Sequence, residues 1–290
     1  MKRNLFGAGL VSAILIAPFG IASAADLPVK SVPYVPVTAF SWTGFYVGAD
    51  VGGVLADYAT NSPIACPPGG AGCYGPAILA TINAQAPQSI HPDAVIFGAK
   101  AGYNIQFGNV VAGVEGDFNS DNLRGVRQTT NTFPGFPGVV PAPFYNNWLT
   151  TQWLATARGR LGLTTTPDNW LFYGTGGVAF TDEHYAHGFQ EVSTPIAGFE
   201  TSSTTKTLTG YALGGGVEWE PTGAPWTFNT EYLYVKFPSL TTSGNVVNTV
   251  TGATTANYFT STAKLSEQII RFGIAYHFGG PGPVPVVTKY

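Results

Sequence analysis

The chain has 290 residues, of which 10% are charged, 13% are aromatic and 37 are glycine, and its formal net charge at pH 7 is −3. A soluble domain typically has about 25% charged residues, so this chain has too few charged side chains to cover a soluble surface of its size. The slight acidic excess argues against nucleic-acid binding, which needs a basic surface.

Residues 1–24 have the pattern of a secretory signal peptide. Lys2 and Arg3 supply the positive charge, an apolar stretch follows, and Ala22-Ser23-Ala24 is a cleavage site of small residues. An uncleaved membrane anchor is the alternative, but the apolar stretch is short and Pro18 interrupts it. We therefore expect an exported protein, and no other segment approaches the ~20 apolar residues of a membrane-spanning helix.

The remaining sequence is expected to form one domain with two flanking segments. Residues 25–40 are rich in Pro and Val and should form an extended periplasmic linker. Residues 41–278 contain the predicted strands, and residues 279–290 form a C-terminal tail. The length suits a single barrel with sizeable loops, so no second domain is expected.

The predicted domain alternates apolar and polar side chains with the period of a β-strand. Phe97, Tyr103 and Phe107 share one face of a segment, for example, and Lys100 lies on the other. Eight such segments are joined alternately by short and long connections. The pattern predicts an all-β fold, an eight-stranded antiparallel transmembrane β-barrel with short periplasmic turns and long extracellular loops. The short connections are 108–109, 164–169 and 220–225, and the long ones are 53–92, 120–147, 181–205 and 238–262.

Charge indicates which face of the strands points outward. A soluble ligand-binding barrel has the same period with its apolar face inside, but its outer face would carry many Lys and Glu residues. Here the polar face consists mostly of Gly, Ala, Thr and isolated charges, so we expect the apolar face to contact lipid. Lys236 and Lys264 fall on the apolar face near the long-loop ends of two strands, where a cation costs only ~0–1 kcal/mol. There they could contact anionic lipopolysaccharide.

Aromatic side chains are expected at both membrane interfaces, where their apolar rings and polar tips meet the headgroups. The Trp residues lie near predicted strand ends rather than within the strands. The predicted girdle residues are Trp42, Trp148, Trp153, Trp170, Trp219, Trp226 and Phe278. A globular core would scatter its Trp residues instead.

Inward-facing charged residues lie at similar distances from the short-turn ends of the strands. They are Asp50, Lys100, Glu115, Asp117, Arg158, Arg160, Glu218, Glu231 and Arg271. Unpaired charge away from bulk water is costly, so these residues should pair across the lumen. An eight-stranded barrel is just wide enough for side chains to fill it, which favours a structural ion network over the alternative, an ion or proton pathway.

Cys66 and Cys73 lie in the first long connection, separated by Pro-Pro-Gly-Gly-Ala-Gly. An exported protein and a turn-forming spacer favour a disulfide between them. A metal site would need more ligands than two cysteines at this spacing supply.

His184 and His187 lie in the third long connection, within Asp-Glu-His-Tyr-Ala-His. The spacing could serve a transition metal or haem iron, but a polar surface loop explains it as well. We expect no metal and no cofactor. No nucleophile and base occur in a recognisable spacing, so no enzymatic activity is expected.

Several segments resemble the small porin-like outer-membrane β-barrel surface proteins of alphaproteobacteria, relatives of OmpA-type barrels. The resemblance covers the strands between residues 41 and 278. It is carried by Ser-Trp-Thr-Gly-Phe-Tyr-Val-Gly at 41–48, Arg-Gly-Arg-Leu-Gly at 158–162, Tyr-Gly-Thr-Gly-Gly at 173–177, Glu-Tyr-Leu-Tyr at 231–234 and Arg-Phe-Gly-Ile at 271–274. It implies a barrel in the cell outer membrane whose terminal aromatic residue, Phe278 or Tyr290, is read by the barrel-assembly machinery.

The expected function is that of an abundant surface protein that supports envelope integrity and surface interactions. Its expected partners are outer-membrane lipid and lipopolysaccharide, together with the barrel-assembly machinery during biogenesis. A narrow porin for passive diffusion of small solutes is the first alternative. Haem or metal binding by an extracellular loop is a weaker one.

Overall fold

A computed structural model describes residues 40–130, 144–165, 169–191, 197–221 and 224–278. Twelve strands and one helix occur in these residues. They are β1 (Gly44–Asn61), β2 (Ile64–Ala65), α1 (Pro76–Asn83), β3 (Pro87–Ile90), β4 (Asp93–Phe107), β5 (Val110–Ser120), β6 (Arg124–Thr130), β7 (Phe144–Thr164), β8 (Trp170–Glu191), β9 (Gly198–Trp219), β10 (Trp226–Lys236), β11 (Leu240–Asn248) and β12 (Thr254–Phe278). The predicted signal peptide, all of the linker except its last residue, and the tail lie outside the described residues.

All strands belong to one antiparallel, barrel-like sheet. The pairings run from β1 through β4, β5, β7, β8, β9, β10 and β12 and return to β1, so eight long strands close a ring. The expected strand count of eight is therefore corrected to twelve. The additional strands β2, β3, β6 and β11 are short and pair with ring strands within segments that were expected to be long loops.

The two ends of the ring differ in their connections. At the turn end, short segments join β4 to β5, β7 to β8 and β9 to β10, and Gly108 adopts a φ of +58° in the first of them, a conformation that favours glycine. The opposite end, the loop end, has the longer connections, which include α1 and the short strands. The predicted alternation of short and long connections is therefore present.

Ring strands continue further toward the loop end than expected. Strands β8 and β9 have 22 residues each and are paired along that whole length. Each is about 70 Å long at ~3.3 Å per residue, more than twice the ~30 Å of bilayer hydrocarbon. The connection expected at 181–205 is therefore mostly strand. The outward face of its β9 part has exposed Thr and Ser side chains, and the backbone remains hydrogen-bonded to β8.

The outward face of the ring has an apolar belt at the turn end, which continues to Leu55 on β1 and Val95 on β4. The belt consists of exposed large side chains and includes Phe45, Val51, Phe97, Phe107, Val114, Phe118, Leu161, Leu163, Phe172, Leu213, Phe228, Ile270 and Phe272. The α1 helix has eight residues, and no helix of the described chain is long and apolar enough to cross a bilayer.

Candidate functional site: the filled interior of the ring

The nine charged residues predicted to face the lumen form one connected network in the turn-end half of the ring. Arg158 is its centre: one guanidinium nitrogen lies 2.6 Å from Glu115 Oε1 and 2.8 Å from Asp117 Oδ2, and the other lies 2.9 Å from Glu231 Oε1. Arg271 also contacts Glu231 Oε1, at 2.6 Å. These side chains are almost fully buried, so the charges are compensated by each other rather than by water.

The remaining members extend the network to both sides. The Lys100 ammonium donates to Asp50 Oδ1 at 2.9 Å and to Asn229 Oδ1 at 2.6 Å. On the other side, Arg160 contacts Glu218 Oε2 at 2.7 Å and donates to the Tyr46 hydroxyl at 2.9 Å. Burial of an ion pair is tolerated only when the geometry is good and further hydrogen bonds are made. The Thr156 hydroxyl donates to Asp117 and the Tyr173 hydroxyl to Glu231, whereas Arg160 Nε has no hydrogen-bond partner among the described residues.

Local register explains how distant residues meet. Lys100 lies directly opposite Asp117 on the neighbouring strand, and Glu115 lies opposite Arg158. Glycine on the inward face makes room for the large side chains. A Cβ atom on Gly273 would collide with the carboxylate of Asp50 and the amide of Asn229, because the barrel interior has no spare width at this level.

An apolar layer closes the ring above the charge network. Val54, Ile96, Leu154, Leu233 and Ile269 are inward-facing and at most 1% exposed, and they belong to one packed cluster. The cluster also contains Ala56, Tyr58, Ile90, Leu123, Leu149, Ala179, Tyr185, Leu208, Ala212, Val235, Phe237, Leu240, Ala263 and Leu265. This layer was not predicted from the sequence. Its signal is the pair of consecutive apolar residues, such as Ile269-Ile270, which places an apolar side chain on both faces.

A layer of buried carboxyl groups comes next toward the loop end, and further members of the same apolar cluster, such as Leu265 and Tyr185, lie on its loop side. Glu183 and Glu267 are 0% exposed, and none of their carboxyl oxygens has a hydrogen-bond partner. Asp121 lies in the same layer and accepts a hydrogen bond from the Thr151 hydroxyl at 2.7 Å. The outward neighbours of these positions are polar, including Asp182 beside Glu183, so the layer lies beyond the apolar belt.

Burial sets the protonation of this layer. It raises the pKa of Glu183 to about 8 and that of Asp121 to about 6. The pKa of Glu267 is raised well above its ordinary value, first by burial and then by the nearby carboxyl groups of Asp121 and Glu183. At neutral pH the Glu183 and Glu267 carboxyl groups are therefore mainly neutral, which makes their burial tolerable.

The loop end has a second apolar cluster, formed by Ile64, Tyr74, Ile82, Tyr145, Phe189, Val246 and Phe259. The Tyr145 hydroxyl donates to the carbonyl of Ile82 at 3.1 Å, which connects β7 to α1. Cys66 and Cys73 are joined by a disulfide in the segment between β2 and α1. The disulfide closes this segment into a loop that ends directly before Tyr74, a member of the cluster.

The two histidines do not form a metal site. Both lie in β8 rather than in a loop, which corrects that expectation. His184 Nδ1 contacts Thr205 Oγ1 at 2.7 Å, whereas His187 is buried and its Nδ1 lies 2.7 Å from Glu200 Oε2. Three residues apart on a strand, they point to opposite faces. Within the described ranges no group of three or more His, Cys, Asp or Glu residues is arranged to hold a metal ion.

Trp42 does not belong to the predicted aromatic girdle. It is 0% exposed and packs at the turn end against Phe40 and His277, with ring centroids 5.0 and 5.8 Å apart. It precedes β1, so strand alternation does not determine where its side chain points. Trp42 closes the turn end of the interior together with Val111, Leu171 and Tyr173.

The other predicted girdle residues lie on the outward face. Trp170, Trp219, Trp226 and Phe278 are exposed at the turn end, and Trp153 is half-buried against Phe118 near the upper edge of the apolar belt. Trp148 is exposed as well, but it lies on the extension of β7 beyond the belt. The turn-end girdle is therefore well populated.

The apolar outer belt and the ion-paired interior are the inverse of a soluble barrel and define an outer-membrane type of sheet. In agreement, residues 12–278 match the family described as outer membrane protein beta-barrel domain. The chain belongs to this family, which places it in the outer membrane as a β-barrel surface protein.

Similar proteins are known from alphaproteobacteria. The chain is 31% identical over 219 residues to the 31 kDa outer-membrane immunogenic protein of Brucella melitensis, which covers 73% of this chain and 80% of that protein. It is 27% identical to the 25 kDa outer-membrane immunogenic protein of Brucella abortus, over 95% of this chain and all of that one. Among solved structures, the outer-membrane protease OmpT of Escherichia coli aligns with a TM-score of 0.43 and 7% identity, covering 84% of this chain and all of OmpT.

We predict that Arg158→Ala and Glu231→Ala each lower the free energy of unfolding by about 3–5 kcal/mol, because each leaves uncompensated buried charge. The measurement is the thermal or urea midpoint of the folded protein in detergent. Lys236→Ala, which removes an exposed cation, is the control and should leave the midpoint unchanged. Unchanged melting of both network variants would contradict a structural role for the network.

The buried Glu183 carboxyl predicts a pH dependence of stability. In the unfolded chain Glu ionises near pH 4.5, whereas the folded pKa is about 8. Between these values the folded state binds more protons, so stability should fall as pH rises, by at most ~1.4 kcal/mol per unit. Glu183→Gln should flatten this slope and be more stable than the wild type at pH 9. The control variant Asp57→Asn, at an exposed carboxylate, should not change the slope. Equal pH profiles for Glu183→Gln and wild type would refute the burial argument.

Proposed function

We propose that this protein is a transmembrane barrel, closed by the ring of eight long strands within its twelve-stranded sheet, with a sealed interior that supports envelope integrity and presents its loop end at the cell surface. The observation that carries the proposal is the succession of side-chain layers along the interior. From the turn end these are the Trp42 cluster, the ion network, the apolar layer and the carboxyl layer, followed by the apolar cluster at the loop end. A path for solutes would have to cross every one of them.

In this proposal the turn end lies in the periplasm and the loop end outside the cell. The positions of exposed charge support the orientation. Arg124, Arg127, Lys206, Lys236 and Lys264 are exposed, and each lies on the loop side of the apolar belt, where cations can meet the anionic headgroups of the outer leaflet. The proposed partners are therefore outer-membrane lipid and lipopolysaccharide, with the barrel-assembly machinery acting during biogenesis.

We propose a binding and structural role rather than an enzymatic one, because the buried titratable groups contact each other or are enclosed by apolar side chains. In the ion network every carboxylate contacts a cation. The carboxyl layer is enclosed on both sides by members of the first apolar cluster. Neither set offers a nucleophile with an adjacent base on an accessible surface, which hydrolysis would require.

Planar-bilayer recording of the purified, folded protein tests the sealed interior. We expect no stable open current, because the apolar layer excludes hydrated ions. Leu154→Gly combined with Leu233→Gly should produce measurable current by thinning that layer, and Lys236→Gly with Lys264→Gly on the outer face is the matched control. Steady single-channel current from the wild type, with a selectivity that changes in Arg158→Ala, would instead establish the alternative of a narrow porin.

A further inference from the structure

An open groove lies on the outer wall at the loop end, where the sheet is interrupted. Strand β3 pairs with β1, and strand β6 pairs with β7. In the described pairings β3 and β6 do not pair with each other. The groove runs from this interruption across β3 and β1 to β12, and it has a volume of about 800 Å³. It is therefore a concave surface on the outer wall.

The groove has a positive charge and many hydroxyl groups. Its lining includes Arg127, Lys264 and His91, with the hydroxyls of Ser89, Thr129 and Thr262. No Asp or Glu residue of the described chain is part of the lining. Asp57 lies beside the groove, and its Oδ1 is 3.5 Å from His91 Nδ1.

The height of the groove matches the headgroup level of a bilayer. Lys264 lies opposite Ala59 on β1, four positions beyond Leu55, where the apolar belt ends. Four residues correspond to about 13 Å along the strand, or roughly 10 Å of height at the usual strand tilt of ~40°. This is beyond the hydrocarbon and within the region of phosphates and inner sugars.

We propose that this groove binds the phosphorylated inner region of lipopolysaccharide in the outer leaflet that surrounds the barrel. The Lys264 ammonium and the Arg127 guanidinium would contact the phosphate or carboxylate groups, and Arg127 offers a planar fork of donors that matches them. The hydroxyls and the amide of Gln88 would contact the sugar. The inference rests on the orientation proposed above. It differs from a general attraction of exposed cations to anionic lipid because it assigns the binding to one site.

The test is binding of purified lipid A carrying its inner-core sugars to the folded, full-length protein in neutral detergent, measured by calorimetry. Arg127→Ala and Lys264→Ala should each weaken binding about fivefold, and the double variant about 25-fold, as expected for ~1 kcal/mol per cation near an anionic surface. Lys236→Ala is the matched control, because Lys236 is exposed at the same end but does not line the groove. Lys236 is one of the exposed cations that can meet anionic headgroups, so its removal should weaken binding, but by clearly less than the fivefold expected of either groove variant.

Two further measurements separate the possible outcomes. The double conservative variant Arg127→Lys/Lys264→Arg should retain most of the binding, and dephosphorylated lipid should bind weakly. Equal losses in the Lys236 and groove variants, or full binding of dephosphorylated lipid, would overturn the site. If the lipid does not bind and the bilayer recordings show no current, the proposal of a sealed interior is retained and only the proposed lipopolysaccharide site is wrong.

Discussion

The structure depends on the compensation of charge inside a ring that is surrounded by lipid. An isolated ion in such an interior costs several kcal/mol, and removing one partner of a buried pair typically costs about 3–5 kcal/mol. The strands satisfy this constraint by register: Glu115 lies opposite Arg158 and Glu231 lies opposite Arg271 on neighbouring strands. Arg158 then contacts Glu231 across the interior. The inward glycines leave the space that these large charged side chains occupy.

The layers above the network follow from the same constraint. A purely ionic interior would admit water at its open end, and water would compete with the ion pairs. The apolar layer that contains Leu154 and Leu233 separates the network from the loop end. Beyond it, Glu183 and Glu267 are buried as mainly neutral acids, for which burial costs far less than it does for an ion. Along the barrel axis the interior therefore changes from paired ions to apolar side chains that enclose neutral acids, which is consistent with a sealed structural protein.

Much of the fold could be predicted from the sequence because strand alternation is local. The inward direction of the Asp50, Lys100 and Arg158 side chains can be predicted from the two-residue period of a strand and from an outer face without charge. The strand extensions were not predictable in the same way. Residues 198–208 are rich in Thr and Ser on both faces, so they have no amphipathic signal, and it is backbone pairing with β8 that makes them strand.

Two features of the site could not be predicted from strand alternation. Trp42 comes before β1, where no alternation defines its side-chain direction, and packing against Phe40 and His277 turns it inward. The groove at Arg127 and Lys264 joins strands that are far apart in sequence and depends on the gap between β3 and β6. Such a gap is a property of the sheet topology and has no local signature.

A double-mutant cycle on Asp50 and Lys100 tests the central claim most directly. Both side chains are buried, and the Lys100 ammonium lies 2.9 Å from Asp50 Oδ1. Asp50→Asn and Lys100→Gln keep the shapes while removing one charge each, and urea unfolding in lipid would give the stability of both singles and the double. Charge compensation predicts that each single variant is strongly destabilised and that the double regains at least ~1–2 kcal/mol relative to the sum of the two losses. Additive losses would mean that these charges do not stabilise each other, and the account of the interior would be wrong.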